Sequence, residues 1–461
     1  MVLVLTVVIL QSISFSNYAL TTTTTNIIYG SAPYLTFDGG RTRVTNTEAL
    51  LGISLSDGRT FTPTTNNSSS TNPIELPIVG QSFNDIGMLV PTDTNSIALS
   101  SLIGTPYNYW GDDDGDGQGI DGITATGSLN VSIVDKNNRA VARNEVLTSC
   151  NSPYKLTLSN SDGILTTRYG VPNESRFTAG NATYYINPKT APVICYAKNS
   201  DLFSPGISAA VWENGKGFLP QSVTPSSYGL NFPTTGANGF NFYLDISGVS
   251  QVLSWAPVSH GGITATMTDS TSTLVKVTLT GPFTTYSQWK SENPVRIARP
   301  SLPQVFELVG RDRRGNAVVK YGFKLKQWFV NRGHVTDTLG FKYASQSSWC
   351  NKIGGYRVPN VRDLTNASCQ GRDSGPECQG AVGATPSSPD NHYRRHIGGG
   401  FVSEWGWIGH RNDEYAEFGL YWTNDKYELG NNHNFVVSFM GGRVSSYDLD
   451  VPVVQGVCVY P

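Results

Sequence analysis

Apolar and polar residues alternate over long stretches of this chain, and a period of two predicts β-strands. The pattern runs through 49–62 (ALLGISLSDGRTFT), 74–83 (IELPIVGQSF), 238–249 (NGFNFYLDISGV), 262–269 (GITATMTD), 272–281 (STLVKVTLTG) and 303–325 (PQVFELVGRDRRGNAVVKYGFKL). Turn residues punctuate it. Lys136, Asn137 and Asn138 predict a hairpin turn within 127–150, and 311–316 predicts another with its charges exposed. Alternating strand faces with turns every ten residues or so predict immunoglobulin-like sandwiches. Two polar tracts interrupt the rhythm, TTTTT at 21–25 and TPTTNNSSSTNP at 62–73. The second has no apolar period with which to build a core and reads as an exposed loop or hinge.

Length and composition extend this picture. A chain of 461 residues exceeds one ordinary core and predicts three or four units of about 100 to 150 residues. Charged residues make up only 15% and the net charge is -2, so no positive field gathers a polyanion and nucleic-acid binding is disfavoured. An apolar run from Val2 to Leu10, followed by small and polar residues to Ala19, reads as a signal peptide at 1–19 and predicts export. No later run resembles a transmembrane helix. The divisions that follow are an N-terminal β-domain with an acidic linker at 20–125, an Ig-like domain at 126–205, an Ig-like or related sandwich at 206–330 and a C-terminal domain at 331–461.

Six cysteines in an exported chain predict three disulfides. Their number alone allows about fifteen pairings. Spacing favours Cys150 with Cys195, Cys369 with Cys378 across a short loop, and Cys350 with Cys458 as a long-range clamp. A thiolate metal site lacks the CxxC pair it would use.

Candidate chemistry is scattered. In WGDDDGDGQGIDG (110–122), Asp112, Asp114 and Asp116 occupy the first three ligand positions of an EF-hand-like calcium loop, and Gln118 could offer its carbonyl. The twelfth position is Ile123 where a Glu is expected; Asp121 would have to compensate, and a solvated acidic linker is the alternative. His392 and His396 have the spacing of two zinc ligands on one helical face, but no HExxH accompanies them. His410, Asp413, Glu414 and Glu417 could form acid–base pairs only if they faced one cleft. No GxSxG elbow, P-loop or dinucleotide fingerprint is present. The C-terminal region instead concentrates histidine, tryptophan and cysteine. WGWIG at 405–409 and YWTNDKYE at 421–428 offer rings that either pack in a core or present a binding surface.

WCNKIGGYRVPNVRDL from Trp349, YWTND from Tyr421, NFVVSFMGGRVSSY from Asn434 and VCVY from Val457 resemble C-type-lectin-like modules of bacterial proteins. KQWFVNRG from Lys326 resembles the junction between an Ig-like stalk and such a module in enterobacterial invasin/intimin-like adhesins. The resemblance implies a mainly β chain in which tandem Ig-like sandwiches carry a disulfide-clamped α+β C-type-lectin-like domain. It implies an exported bacterial surface adhesin that binds a host-cell protein or glycoprotein without catalysis and needs no cofactor. Trp405, Trp407, Trp422, Asn424, Asp425 and Lys426 are the binding candidates. No Glu-Pro-Asn element precedes Asn424 within the module, which weighs against calcium-mediated sugar coordination and for a protein receptor. A structural surface or pilus subunit and an exported carbohydrate-active enzyme are the alternatives.

Overall fold

The computed structural model describes residues 29–115, 122–333, 340–407, 419–452 and 454–461. The expected signal peptide and the 21–25 tract lie outside them. The chain is mainly β and divides into two compact units: Met1–Leu147 with Asn151–Lys189, and Thr148–Cys150 with Thr190–Pro461.

In the first unit a five-stranded sheet runs in the order Ile74–Glu75, Gly180–Asn187, Tyr154–Asn160, Ser128–Val134, Ser96–Ala98. A three-stranded sheet, Glu174–Phe177, Gly163–Thr167, Ile123–Ala125, shares its core. Alternation does the sorting: Leu129, Val131 and Ile133 face inward from one strand, Leu156 and Leu158 from its neighbour, and Leu165 and Phe177 from the other sheet. The turn after Val134 forms as the sequence predicts, although its outgoing arm makes an isolated bridge, Val134 with Ala140, and no strand. Asp135 accepts from the Asn137 and Arg139 amides, while Asn138 takes a positive φ.

Two expectations are corrected here. A boundary at 125 is not observed, because Ser96–Ala98 pairs with Ser128–Val134 and Ile123–Ala125 pairs with Gly163–Thr167; strands from both sides share sheets. Of the two readings of 62–73, the exposed loop is observed and the hinge is not. Glu48 accepts from the Thr62 hydroxyl at 2.7 Å and the Thr64 amide at 3.0 Å. Asn66 donates to the Thr183 carbonyl, and the Ser68 hydroxyl accepts from the Tyr185 amide. Polar side chains fasten the tract to a sheet edge, an ordering that hydrophobic periodicity cannot register.

The second unit begins as a sandwich. One sheet is seven-stranded, with Val193–Lys198, Asn241–Ser247, Leu274–Thr280 and Ile263–Thr268 adjacent in that order; the other pairs Gln304–Arg311 with Ala317–Leu325 and adds Ser254–Trp255. Phe242, Leu244, Val275 and Val277 from the first share one core with Phe306, Leu308, Tyr321 and Phe323 from the second, where Phe306 and Phe323 stack at 5.1 Å. The charged turn closes as predicted, with Asp312 accepting from the Arg314 and Asn316 amides.

The same core continues to the C-terminus. Gln327–Asn331 pairs in parallel with Thr235–Ala237 and antiparallel with Val457–Tyr460, so the expected boundary at 330 falls inside a strand at the centre of a sheet. Trp328 in that strand is fully buried and donates its indole N–H to the Pro282 carbonyl at 2.8 Å. The boundary at 205 also moves: Val193–Lys198 is already part of the seven-stranded sheet. Beyond it come the helices Tyr343–Lys352, Val361–Leu364 and Phe401–Trp405 and a three-stranded sheet of Leu420–Lys426, His433–Ser438 and Val444–Asp448.

All six cysteines are paired, as Cys150–Cys195, Cys350–Cys458 and Cys369–Cys378. The first does not staple two sheets of a 126–205 sandwich. It fixes the short segment Thr148–Cys150 to the strand Val193–Lys198, within the second unit. The second joins the helix Tyr343–Lys352 to the strand Val457–Tyr460 across 108 residues.

Candidate functional site

The residues of the C-terminal motifs fall in defined elements. Trp349 and Cys350 lie near the end of a ten-residue helix, Val361–Leu364 forms a short second helix, and YWTND falls in the strand Leu420–Lys426.

Burial then divides the six candidate contact residues. Trp405 is fully buried among Phe232 and Phe240, and its indole N–H is shared between the carbonyl and hydroxyl of Thr235 at 3.1 and 3.2 Å. Trp422 is equally buried and donates to the Phe341 carbonyl. Both are core residues and leave the contact set, because a ring with no accessible face cannot meet a partner. Trp407 is half-buried, with its amide 3.4 Å from an Asp201 oxygen. Asn424 is exposed, accepting from the Tyr343 hydroxyl; Lys426 is exposed as well. Asp425 is partly buried and accepts from the Val361 amide at 2.6 Å, which holds the short helix against the strand.

The remaining expectations separate in space. Asp114 accepts from the Ser31 amide at 2.5 Å, while neighbouring Asp113 pairs with Arg43 and accepts from the Tyr34 hydroxyl. Asp112 is described; Asp116, Gln118 and Asp121, the other three calcium candidates, lie outside the described residues. Among the described residues no group of three His, Cys, Asp or Glu is placed to hold a metal. His392 and His396 lie in a loop and line different cavities; His392 Nε2 meets Asp373 and His396 Nδ1 meets the Ile397 carbonyl. His410, Asp413, Glu414 and Glu417 lie outside the described residues.

What the sequence did not disclose is a set of buried charges. Glu404, in the helix Phe401–Trp405, is fully buried and accepts from the amides and hydroxyls of Thr234 and Thr235 and from the Gly398 amide, all within 2.7–3.1 Å. Arg395, also fully buried, donates to the Glu404 and Asp201 carbonyls, pairs with the Asp201 carboxylate at 2.8 Å and lies over the Trp212 ring. Arg332 donates to the Trp289 carbonyl and Ser345, pairs with Glu292 and covers the Phe341 ring at 3.8 Å. Burial pushes Arg332 down to about 10 against the pull of Glu292, so it stays charged at neutral pH. The one visible hint is a single carboxylate in the short segment FVSEW, beside Phe401, Val402 and Trp405.

Burial alone would raise the Asp201 carboxyl. The Arg395 charge, with donors from Ser204, Tyr393 and the Trp407 amide, outweighs it and holds the group below the usual carboxylate range. A depressed folded value means that this contribution is fully present above the unfolded carboxylate value of about 4 and is lost as pH falls through the folded value. The melting temperature should therefore decline more steeply below about pH 4 in the wild type than in Asp201→Asn. Parallel pH curves would remove Asp201 from the acid response.

No protein-family model and no curated protein matches the chain. Among solved structures, the C-terminal 282-residue fragment of intimin, in complex with the intimin-binding domain of the translocated intimin receptor, is similar with a TM-score of 0.30 and 11% identity, over 73% of this chain and 93% of that one. An intimin mutant from EHEC O157:H7 is similar with a TM-score of 0.29 and 14% identity, over 54% of this chain and 93% of that one. The Bacteroides ovatus glucan-utilisation protein SGBP-B, bound to a mixed-linkage heptasaccharide, is similar with a TM-score of 0.15 and 13% identity, over 56% of this chain and 70% of that one.

Proposed function

We propose that the chain is an exported, noncatalytic bacterial adhesin that recognises a host-cell surface protein through the region 331–461. The observation that carries this reading is a division of roles among side chains in the second unit. The buried charges Glu404, Arg395 and Arg332 are occupied in bonds that hold the fold. Exposed apolar groups such as Phe203, Leu429 and Met440 remain on the surface of a frame fixed by disulfides. A rigid frame lowers the ordering cost of association, which suits equilibrium recognition. The lectin-like sequence motifs, each of which forms a secondary-structure element or its edge, support the same reading.

The test uses the full chain with its disulfides intact, because 331–461 shares a core and a central strand with 190–330. Saturable binding to host epithelial cells that survives a calcium chelator is expected. Binding lost with chelator would replace the protein receptor by a calcium-dependent glycan. No saturable binding, or sugar released from a polysaccharide, would overturn the adhesin reading.

A further inference from the structure

One cavity of about 220 Å³ in the second unit collects basic side chains that the fold does not fully engage. Arg372, His392 and Arg394 line it with one carboxylate, Asp390, and with Pro205, Met440 and Gly441, and His392 is paired with Asp373. Its walls are built. The Arg395 amide donates to the Pro205 carbonyl, the Ile207 amide to the Arg395 carbonyl and the Tyr393 amide to the Gly441 carbonyl, so three segments distant in sequence are held side by side. The fourth wall is the small loop closed by Cys369–Cys378, which carries Arg372 and Asp373 and is fixed by the Asn391 side chain donating to the Asp373 carbonyl at 2.9 Å.

Within this frame the cations are oriented but incompletely satisfied. Arg394 gives one terminal nitrogen to Asp390 at 2.8 Å, yet its Nε is buried and has no hydrogen-bond partner. Arg372 meets Asp373 only at 3.4 Å through Nε, and its side chain is 78% exposed. Buried donors without acceptors are rare in folded proteins, and a guanidinium is matched by a carboxylate. Met440 of the lining is 52% exposed, and Phe203, which precedes Ser204 of the wall in the chain, is 81% exposed. Arg, Met and aromatic residues are those enriched where proteins meet.

We propose that this cavity and its rim are the docking point for an acidic side chain, Asp or Glu, of a receptor protein, with a neighbouring apolar side chain of that receptor seated on Phe203 and Met440. The proposal rests on the adhesin reading and names the chemistry of its contact. A side chain is favoured over an acidic sugar because the lining holds no Asn or Gln to read adjacent hydroxyls, the Asp390 carboxylate is engaged by Ser388 and Arg394, and the Tyr393 hydroxyl by Asp201 and Ser204.

The chain has four methionines, so the Met440 methyl can be followed by carbon-13 NMR on the full protein, with Met440→Leu to assign it. N-acetylglutamate should move that signal saturably, with a dissociation constant on the order of 1 mM as suits a fragment. N-acetylglutamine should not. Arg372→Gln should weaken the response about tenfold, and Gly441→Ala, whose added Cβ would lie 2.8 Å from His392 Nδ1, should perturb it from the opposite wall. An unmoved Met440 signal, an equal response to N-acetylglutamine, or a response to N-acetylneuraminic acid alone would overturn the proposal. In parallel, Phe203→Ala with Met440→Ala should lower binding to epithelial cells about thirtyfold at unchanged melting temperature. If the wild type binds cells and this variant binds equally well, the docking point is wrong and the adhesin reading stands. If the wild type does not bind cells while N-acetylglutamate still titrates Met440, the adhesin reading falls and the carboxylate pocket stands.

Discussion

Glu404→Ala should lower the melting temperature of the second unit by on the order of 10 °C, through a loss of roughly 3–5 kcal/mol. The carboxylate accepts from three amides, those of Thr234, Thr235 and Gly398, and from two hydroxyls, all in the interior. Alanine removes every acceptor and leaves the donors with no route to water, which costs far more than the net worth of the bonds. Glu404→Gln, which keeps one acceptor oxygen and adds a donor where none is wanted, should fall between. Calorimetry decides it, and a shift within about 2 °C for the alanine variant would sink the account. The same trace should contain one transition for 190–461, because its apolar core is continuous from Ile194 to Val459.

The second large effect concerns the disulfides and depends on how much chain each one closes. Removing Cys350–Cys458 as a double alanine variant should cost about 4–5 kcal/mol, against about 2–3 kcal/mol for Cys369–Cys378. The separations are 108 and 9 residues, and the loop-closure entropy of the unfolded chain grows with the logarithm of that length. Urea midpoints should separate accordingly, the long loop losing roughly 1–2 M. Equal losses would mean that native packing around the cystines, and not chain entropy, sets their worth. The short disulfide should matter more to the cavity wall that carries Arg372 than to stability.

The sequence was most legible where one physical signal dominated. Strict alternation in 241–247 and 274–280 marks strands whose inward faces are Phe242, Leu244, Val275 and Val277. Asp312 and Gly315 mark the turn between Gln304–Arg311 and Ala317–Leu325. It was illegible where the deciding partner lay far away. Nothing local to Thr235 announces that its strand will pair with Gln327 or that its amide will bond Glu404, 169 residues on. The tract at 62–73 was half legible for a related reason: the absence of an apolar period marks it as a loop, but not the hydrogen bonds from Glu48, Asn66 and Ser68 that fasten it. Tryptophan is ambiguous by nature, a large apolar body with one donor, and the buried Trp405 and Trp422 found carbonyl acceptors inside. The cavity beside Arg394 draws on residues from 204 to 441 and has no continuous motif at all.

The strand Gln327–Asn331, paired on one side with Thr235–Ala237 and on the other with Val457–Tyr460, also bears on how such a molecule could change. A string of independent modules can exchange its terminal bead by recombination at a linker, and new specificity then arrives in one event. Here a crossover near residue 330 would cut a central strand and part Glu404 from the two threonines it holds, so a transplanted terminal region would arrive with its interior unsatisfied. Variation is left to side chains on the outside of the fused frame, such as Phe203, Arg372 and Met440, where substitutions do not disturb the seam.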